Sequence, residues 1–133
     1  MKYPSMEQIE ALRKEYPAGT RIELLAMDDA FAPPLGTLGT VIAVDDAGSL
    51  VTKWDNGSGL NVILDAGGRI KKQIMTEEVF NALMSVRADG RSNMLDLPAV
   101  QRLAYEAGYY GLVLYIEDHP REYVHFILFG REP

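Results

Sequence analysis

"LVTKWDNGSGLNVIL" runs from Leu50 to Leu64, and its reading decides the fold. Leu50 to Trp54 is a short run of the kind that forms strands. Asp55-Asn56-Gly57-Ser58 follows, and an Asn-Gly pair is the strongest short signal for a tight hairpin. The expected turn is type I′, with Asn56 and Gly57 both at positive φ. Gly59 to Leu64 then reads as the returning strand. Upstream, Thr20 to Met27 and the β-branched Gly39 to Val44 read as two more strands. Downstream, "DAGG" turns the chain and Arg69 to Ile74 forms a short fifth. Five short strands joined by Gly-rich turns point to a small closed barrel of the SH3 kind, which leaves no edge to aggregate.

On either side the period becomes helical. Ser5 can cap a helix, with Gln8 placed for a capping box. Met6, Ile9, Leu12 and Tyr16 share one face, and Pro17 stops it. After Met75, Thr76 is the expected cap, Glu77 and Glu78 suit the positive end of the dipole, and Gly90 suits a left-handed ending. Val79, Phe80, Leu83 and Met84 form its apolar face. Asp96 caps the next helix, Pro98 is tolerated in its first turn, and Val100, Leu103, Ala104 and Ala107 form its stripe. "YYGLVLYIEDHPREYVHFILFG" (109–130) has two readings. As strands it is a hairpin turning at Asp118 to Arg121. As helices it places Leu112, Ile116, Tyr123 and Ile127 on one face with Pro120 opening the second. Spacing across the proline favours helices. The expected class is α+β: an N-terminal helix and an SH3-like five-stranded β-barrel over 1–75, with a mainly helical module over 76–133 packed on it.

The bulk properties narrow the function. A chain of 133 residues, 47% apolar and 24% charged, is of globular composition. Its formal net charge is −6, and Arg69, Lys71 and Lys72 form its one basic cluster, so nucleic-acid binding is disfavoured. The absence of cysteine excludes disulfides, thiolate zinc sites and cysteine nucleophiles. Neither a signal-peptide core nor an apolar run of membrane-spanning length is present, so a cytoplasmic location is expected.

Few residues invite chemistry. Trp54, the one tryptophan, either fills the barrel core or floors an aromatic groove for a peptide or methylated side chain. Asp55 and Asn56 shape the turn, or recognise a ligand beside the barrel mouth. In "MDDAFAPPLGT", Pro33 and Pro34 stiffen the loop, and Phe31 between acids and prolines is either a contact surface or a plug for the barrel end. Asp28 and Asp29 are adjacent and diverge when extended, so no metal is expected there. His119 and His125 lack the i, i+4 spacing of a helical metal pair. The tyrosines at 105, 109, 110, 115 and 123 exceed what a small core needs. Tyr109 and Tyr110 are candidate contact residues, and homodimerisation through this half is expected. No nucleophile elbow occurs, and "GTLGT" lacks the lysine and spacing of a phosphate loop. Neither catalysis nor a cofactor is expected.

Four features carry a resemblance: Gly19-Thr20-Arg21, the acidic pair Asp28-Asp29, Pro33-Pro34 running into Gly36-Thr37 and Gly39-Thr40-Val41, and Trp54-Asp55-Asn56-Gly57. With them the N-terminal half resembles domain-of-unknown-function family 4314. The C-terminal half, with Asn93-Met94-Leu95-Asp96 and the Tyr123 to Ile127 ending, resembles domain-of-unknown-function family 5049, departing by one residue from an NMFD-like stretch. The resemblance implies a setting in phages, prophages and mobile elements, where small inhibitors and adaptors of host proteins are common. The expected function is therefore a non-enzymatic binding protein engaging a host protein, with inhibition of a defence system as one such role. The alternatives are a small-molecule or signalling-nucleotide sponge, with Arg69, Lys72, Arg87 and Arg91 on phosphates, or a nucleic-acid-binding module.

Overall fold

A computed structural model describes residues 4–133. The chain divides after Gln73 into two units, each taken by itself below.

The first unit opens with α1 (Met6–Glu15). The Ser5 hydroxyl accepts from the Gln8 N–H at 3.2 Å, and the Gln8 carboxamide accepts from the Ser5 N–H at 2.8 Å. This capping box satisfies two amides that a helix start would otherwise leave bare. The strands are β1 (Arg21–Ala26), β2 (Leu38–Val44), β3 (Leu50–Trp54) and β4 (Arg69–Lys72). They pair antiparallel in the order β3-β2-β1-β4.

That order corrects the expected barrel: the sheet is four-stranded and open, with β3 and β4 at its two ends. The stretch from Gly59 to Leu64 is not a strand. Only Val62 pairs, exchanging bonds of 2.8 and 3.0 Å with Leu50. The chain then tightens into a 3-10 turn over Leu64–Ala66, which ends on Gly67 at φ 87°. A Cβ on the next residue, Gly68, would stand 2.8 Å from the Ile63 carbonyl oxygen. The apolar, partly β-branched Val62-Ile63-Leu64 suits a strand, but the "DAGG" segment reverses the chain too early for a ladder to form. The chain returns as β4 and pairs with β1.

The core of this unit gathers Ile9, Ile22, Leu24, Val41, Val44, Leu50, Trp54 and Val62. Cross-strand register sets its centre. Trp54 on β3 lies opposite Gly39 on β2, where a Cβ would come within 2.6 Å of the indole Cε3. The glycine is required for room, because the ring occupies the space its side chain would take. Arg13 ties α1 to the β2–β3 turn, donating to the Val44 carbonyl at 3.1 Å and to Asp46 at 3.0 Å.

The second unit is helical: α2 (Glu77–Asp89), α3 (Leu97–Glu106), α4 (Tyr110–Asp118) and α5 (Pro120–Phe129). The ambiguous C-terminal segment therefore forms two helices, with Pro120 in the first turn of α5. Proline lacks the N–H that a first-turn residue does not need, so the break between helices falls there. Thr76 caps α2 by accepting from Val79 N–H, and Asp96 caps α3 by accepting from Ala99 N–H. Leu112, Ile116 and Tyr123 are buried as spaced, but Phe126 takes the interior place and Ile127 is only half-buried. Near the chain's end Glu132, 6% exposed, accepts from the Ile74 N–H at 2.7 Å, the Met75 N–H at 3.2 Å and the Tyr115 hydroxyl at 2.6 Å. A buried carboxylate is tolerated because donors surround it.

Candidate functional site

The loop between β1 and β2 holds five of the sequence-based candidates, Asp28, Asp29, Phe31, Pro33 and Pro34. Its base is closed by backbone bonds from Leu24 N–H to the Thr37 carbonyl at 2.9 Å and from Gly36 N–H to the Leu24 carbonyl at 2.8 Å. Inside it Asp29 makes an Asx turn: its carboxylate accepts from the Phe31 N–H at 2.8 Å, and its carbonyl accepts from the Ala32 N–H at 3.1 Å. Thr37 donates its hydroxyl to the Pro34 carbonyl at 2.6 Å. The outcome is a braced loop on which Phe31 is 85% exposed and Leu35 is also exposed. Phe31 does not plug the core. Pro33 is buried instead, while Asp28 and Pro34 face solvent.

The WDNG turn is placed differently. Trp54 is 1% exposed, and its indole N–H donates to the Leu60 carbonyl at 2.8 Å. It is a core residue and offers no face as a groove floor. The turn is also not type I′. Gly57 is at φ 92°, and no described residue other than glycine has positive φ. Gly57 N–H donates to the Trp54 carbonyl, and Trp54 N–H to the Ser58 carbonyl, both at 3.0 Å. This is the geometry of a three-residue loop with one left-handed glycine at its end. One such residue suffices, and glycine adopts it without steric cost. Asn56 is exposed and spends its side-chain oxygen on the Ser58 N–H at 3.0 Å.

Asp55 has a partner that sequence reasoning missed. Arg21, 3% exposed, donates from Nη1 and Nη2 to the two Asp55 carboxylate oxygens, each at 2.7 Å, and Nη1 also reaches the Thr40 hydroxyl at 3.2 Å. The bidentate fork suits guanidinium and carboxylate geometry. A signal was present: Arg21 opens a strand in which four of the six residues are apolar.

The remaining candidates scatter. Arg69 and Lys72 lie on β4, exposed. Lys72 donates to the Glu15 carbonyl at 2.6 Å and sits 5.9 Å from the Tyr16 ring centroid. In the second unit Arg87 is exposed near the end of α2, and Arg91 pairs with Asp89 at 2.5 Å. Tyr110 is exposed with its ring 5.4 Å from that of the exposed Tyr105, and Tyr109 is half-buried. Tyr115 and Tyr123 are interior. Burial pushes the Tyr123 phenol up to about 12, and burial together with the Glu132 carboxylate raises Tyr115 further. The His125 Nδ1–H donates to the Arg131 carbonyl at 2.6 Å. Among the described residues no three acids or histidines are grouped to hold a metal, and no helix is long and apolar enough to cross a membrane.

Neither curated proteins nor solved structures yield a match. Family models do. The model described as Domain of unknown function (DUF4314) matches residues 5–70, and that described as Domain of unknown function (DUF5049) matches residues 75–131. The N-terminal half is thus similar to the first family and the C-terminal half to the second.

Proposed function

We propose that the protein is a small non-catalytic binding protein that engages a host protein through the β1–β2 loop. The observation that carries this reading is Phe31, held 85% exposed by the Asp29 turn. Leu35 is exposed in the same loop. Two exposed apolar side chains on one braced loop, in the same segment as Asp28 and Asp29, suit an apolar pocket with a basic rim. Charge complementarity of that kind speeds encounter and selects the partner. The net charge of −6 supports a basic partner surface, including a groove built for nucleic acid. In the phage or mobile-element setting implied by the resemblance, the natural role is inhibition of a host defence or housekeeping protein, in the cytoplasm. Self-association through the exposed Tyr105, Tyr110 and Leu114 belongs to the same reading. A nucleotide sponge draws less support, because Lys72 and Arg91 are already engaged within the chain.

The test is affinity capture from host lysate with wild type and with the Phe31→Ala/Leu35→Ala double variant. The reading expects one host protein retained near stoichiometry by wild type, lost from the variant, and weakened by salt. Retention that is equal in both abandons the loop as the site. No retained protein at all abandons the function.

A further inference from the structure

In the second unit α2 presents Glu78, Asn81 and Ser85 along one face of the helix, at spacings i, i+3 and i+7. Facing them, where α3 gives way to α4, stand Gly108, Tyr109 and Gly111. Between the two sides lies an open cleft of about 240 Å³, with Ala82 and Leu112 completing its wall. Glu78 carries the one formal charge on this lining. Arg87, the one base of α2, falls half a turn away around the helix. The Glu78 carboxylate and the Asn81 carboxamide have no hydrogen bond or ion pair among the described residues. The cleft is therefore anionic and rich in acceptors.

Gly111 adds an independent observation. It sits in the first turn of α4, and its φ is not left-handed. A Cβ there would meet only Val79 Cγ2 at 3.6 Å and Glu78 Oε1 at 3.8 Å, both ordinary contacts. Neither packing nor backbone conformation calls for glycine, and alanine is the better helix former. A side chain at 111 would instead narrow the cleft. Gly108 differs, since its φ of 82° explains it as a turn residue.

We propose that this cleft binds a small organic cation, with a guanidinium or ammonium group set against Glu78 and its remaining N–H donors shared with Asn81 and the Tyr109 hydroxyl. A guanidinium suits such a site best, since its planar fork feeds several acceptors at once. The cation can come from a free small molecule or from an arginine on a peptide.

Two probes on the full chain separate these sources: agmatine, and the peptide acetyl-Gly-Arg-Gly-amide, each followed by amide chemical shifts and calorimetry. Shifts are expected at residues 77–85 and 108–113. Glu78→Gln and Gly111→Leu should each weaken binding by about tenfold or more, as loss of a charge-assisted contact does. Gly111→Ala should raise Tm while weakening binding, an opposition that a purely structural glycine would not give. A peptide bound more tightly than agmatine assigns the site to an arginine of a protein segment, and the reverse assigns it to a free cation. If neither probe perturbs the cleft, or if the perturbation survives Glu78→Gln, the proposal is overturned.

Discussion

The guanidinium of Arg21 and the carboxylate of Asp55 meet through two parallel hydrogen bonds of 2.7 Å. The pair joins the Gly19-Thr20-Arg21 segment to the Trp54-Asp55-Asn56-Gly57 turn, so two of the features that carry the resemblance meet in one contact. Arg21 is buried while the Asp55 side chain keeps 44% exposure. Removing the acid leaves a buried cation short of its main partner; a fully buried pair loses about 3–5 kcal/mol in this way, and the exposure of Asp55 makes the loss here smaller. Asp55→Ala should therefore lower the urea midpoint followed by Trp54 fluorescence, and Asp55→Asn should lower it less. The Arg21→Met/Asp55→Ala double variant should recover part of the loss, since the uncompensated charge goes with the arginine. A double variant as unstable as the sum of the singles would show that the two side chains act independently.

Gly39 and Trp54 form the second such relationship. A methyl at 39 would stand 2.6 Å from the indole and 3.1 Å from the Lys53 carbonyl oxygen. The backbone oxygen cannot withdraw, so the indole must move within a filled core. Overpacking of this kind costs about 1–3 kcal/mol. Gly39→Ala should lower the midpoint by a corresponding amount and shift the tryptophan emission, because the ring is displaced. Unchanged emission at unchanged stability would mean that the sheet opens to admit the methyl.

How much of this was legible follows from which signals are local. The capping box at Ser5 and Gln8, the caps at Thr76 and Asp96, and the helix start at Pro120 depend on neighbours in sequence, and each was readable. So were four strands, to within a residue or two at their ends. The fifth was not. Gly59 to Leu64 carries a strand's composition between two turn signals, but only Val62 finds a partner, and pairing is a long-range event that composition alone does not fix. Trp54 illustrates the same limit from the site's side. Its type allowed core or groove, and the choice rests on Gly39 lying opposite it in register, which no single segment reveals. Glu132 was invisible for the same reason: its donors lie 17 and more residues away.

The Tyr115 hydroxyl gives its hydrogen to Glu132 at 2.6 Å, and Tyr123 gives its own to the Met94 carbonyl at 2.6 Å. Both phenols are held above the ordinary value of 10.0, Tyr115 by burial and then by Glu132, Tyr123 by burial alone. The folded state therefore keeps these protons longer than the unfolded chain. Their stabilising contribution is complete below pH 10 and is lost as pH rises from there, through about 12 for Tyr123 and further for Tyr115. The slope approaches about 1.4 kcal/mol per pH unit for each tyrosine while only the unfolded form is ionised. Unfolding free energies measured from pH 9 to 11.5 should fall along this course. Tyr115→Phe and Tyr123→Phe should each flatten it, while costing about 1 kcal/mol at neutral pH for the lost hydrogen bond. Tyr115→Phe additionally leaves the Glu132 carboxylate short of one donor. A slope untouched by either substitution would place the alkaline loss elsewhere.

Phe31 and Asp29 separate contact from stability. Phe31 at 85% exposure buries little, so Phe31→Ala should move stability by no more than about 0.5 kcal/mol. Asp29→Ala removes the acceptor for the Phe31 N–H and should loosen the loop, at a cost on the scale of about 1 kcal/mol for a capping-type bond. Amide exchange at Phe31 should then rise in Asp29→Ala and stay unchanged in Phe31→Ala. Partner binding should fall in both, through lost contact in one and lost organisation in the other. Asp29→Asn keeps an acceptor oxygen but not the charge, so it divides the two roles of the acid. If Asp29→Asn restores slow exchange and also restores binding, Asp29 acts by shaping the loop. If exchange recovers and binding does not, its charge is read directly by a basic partner.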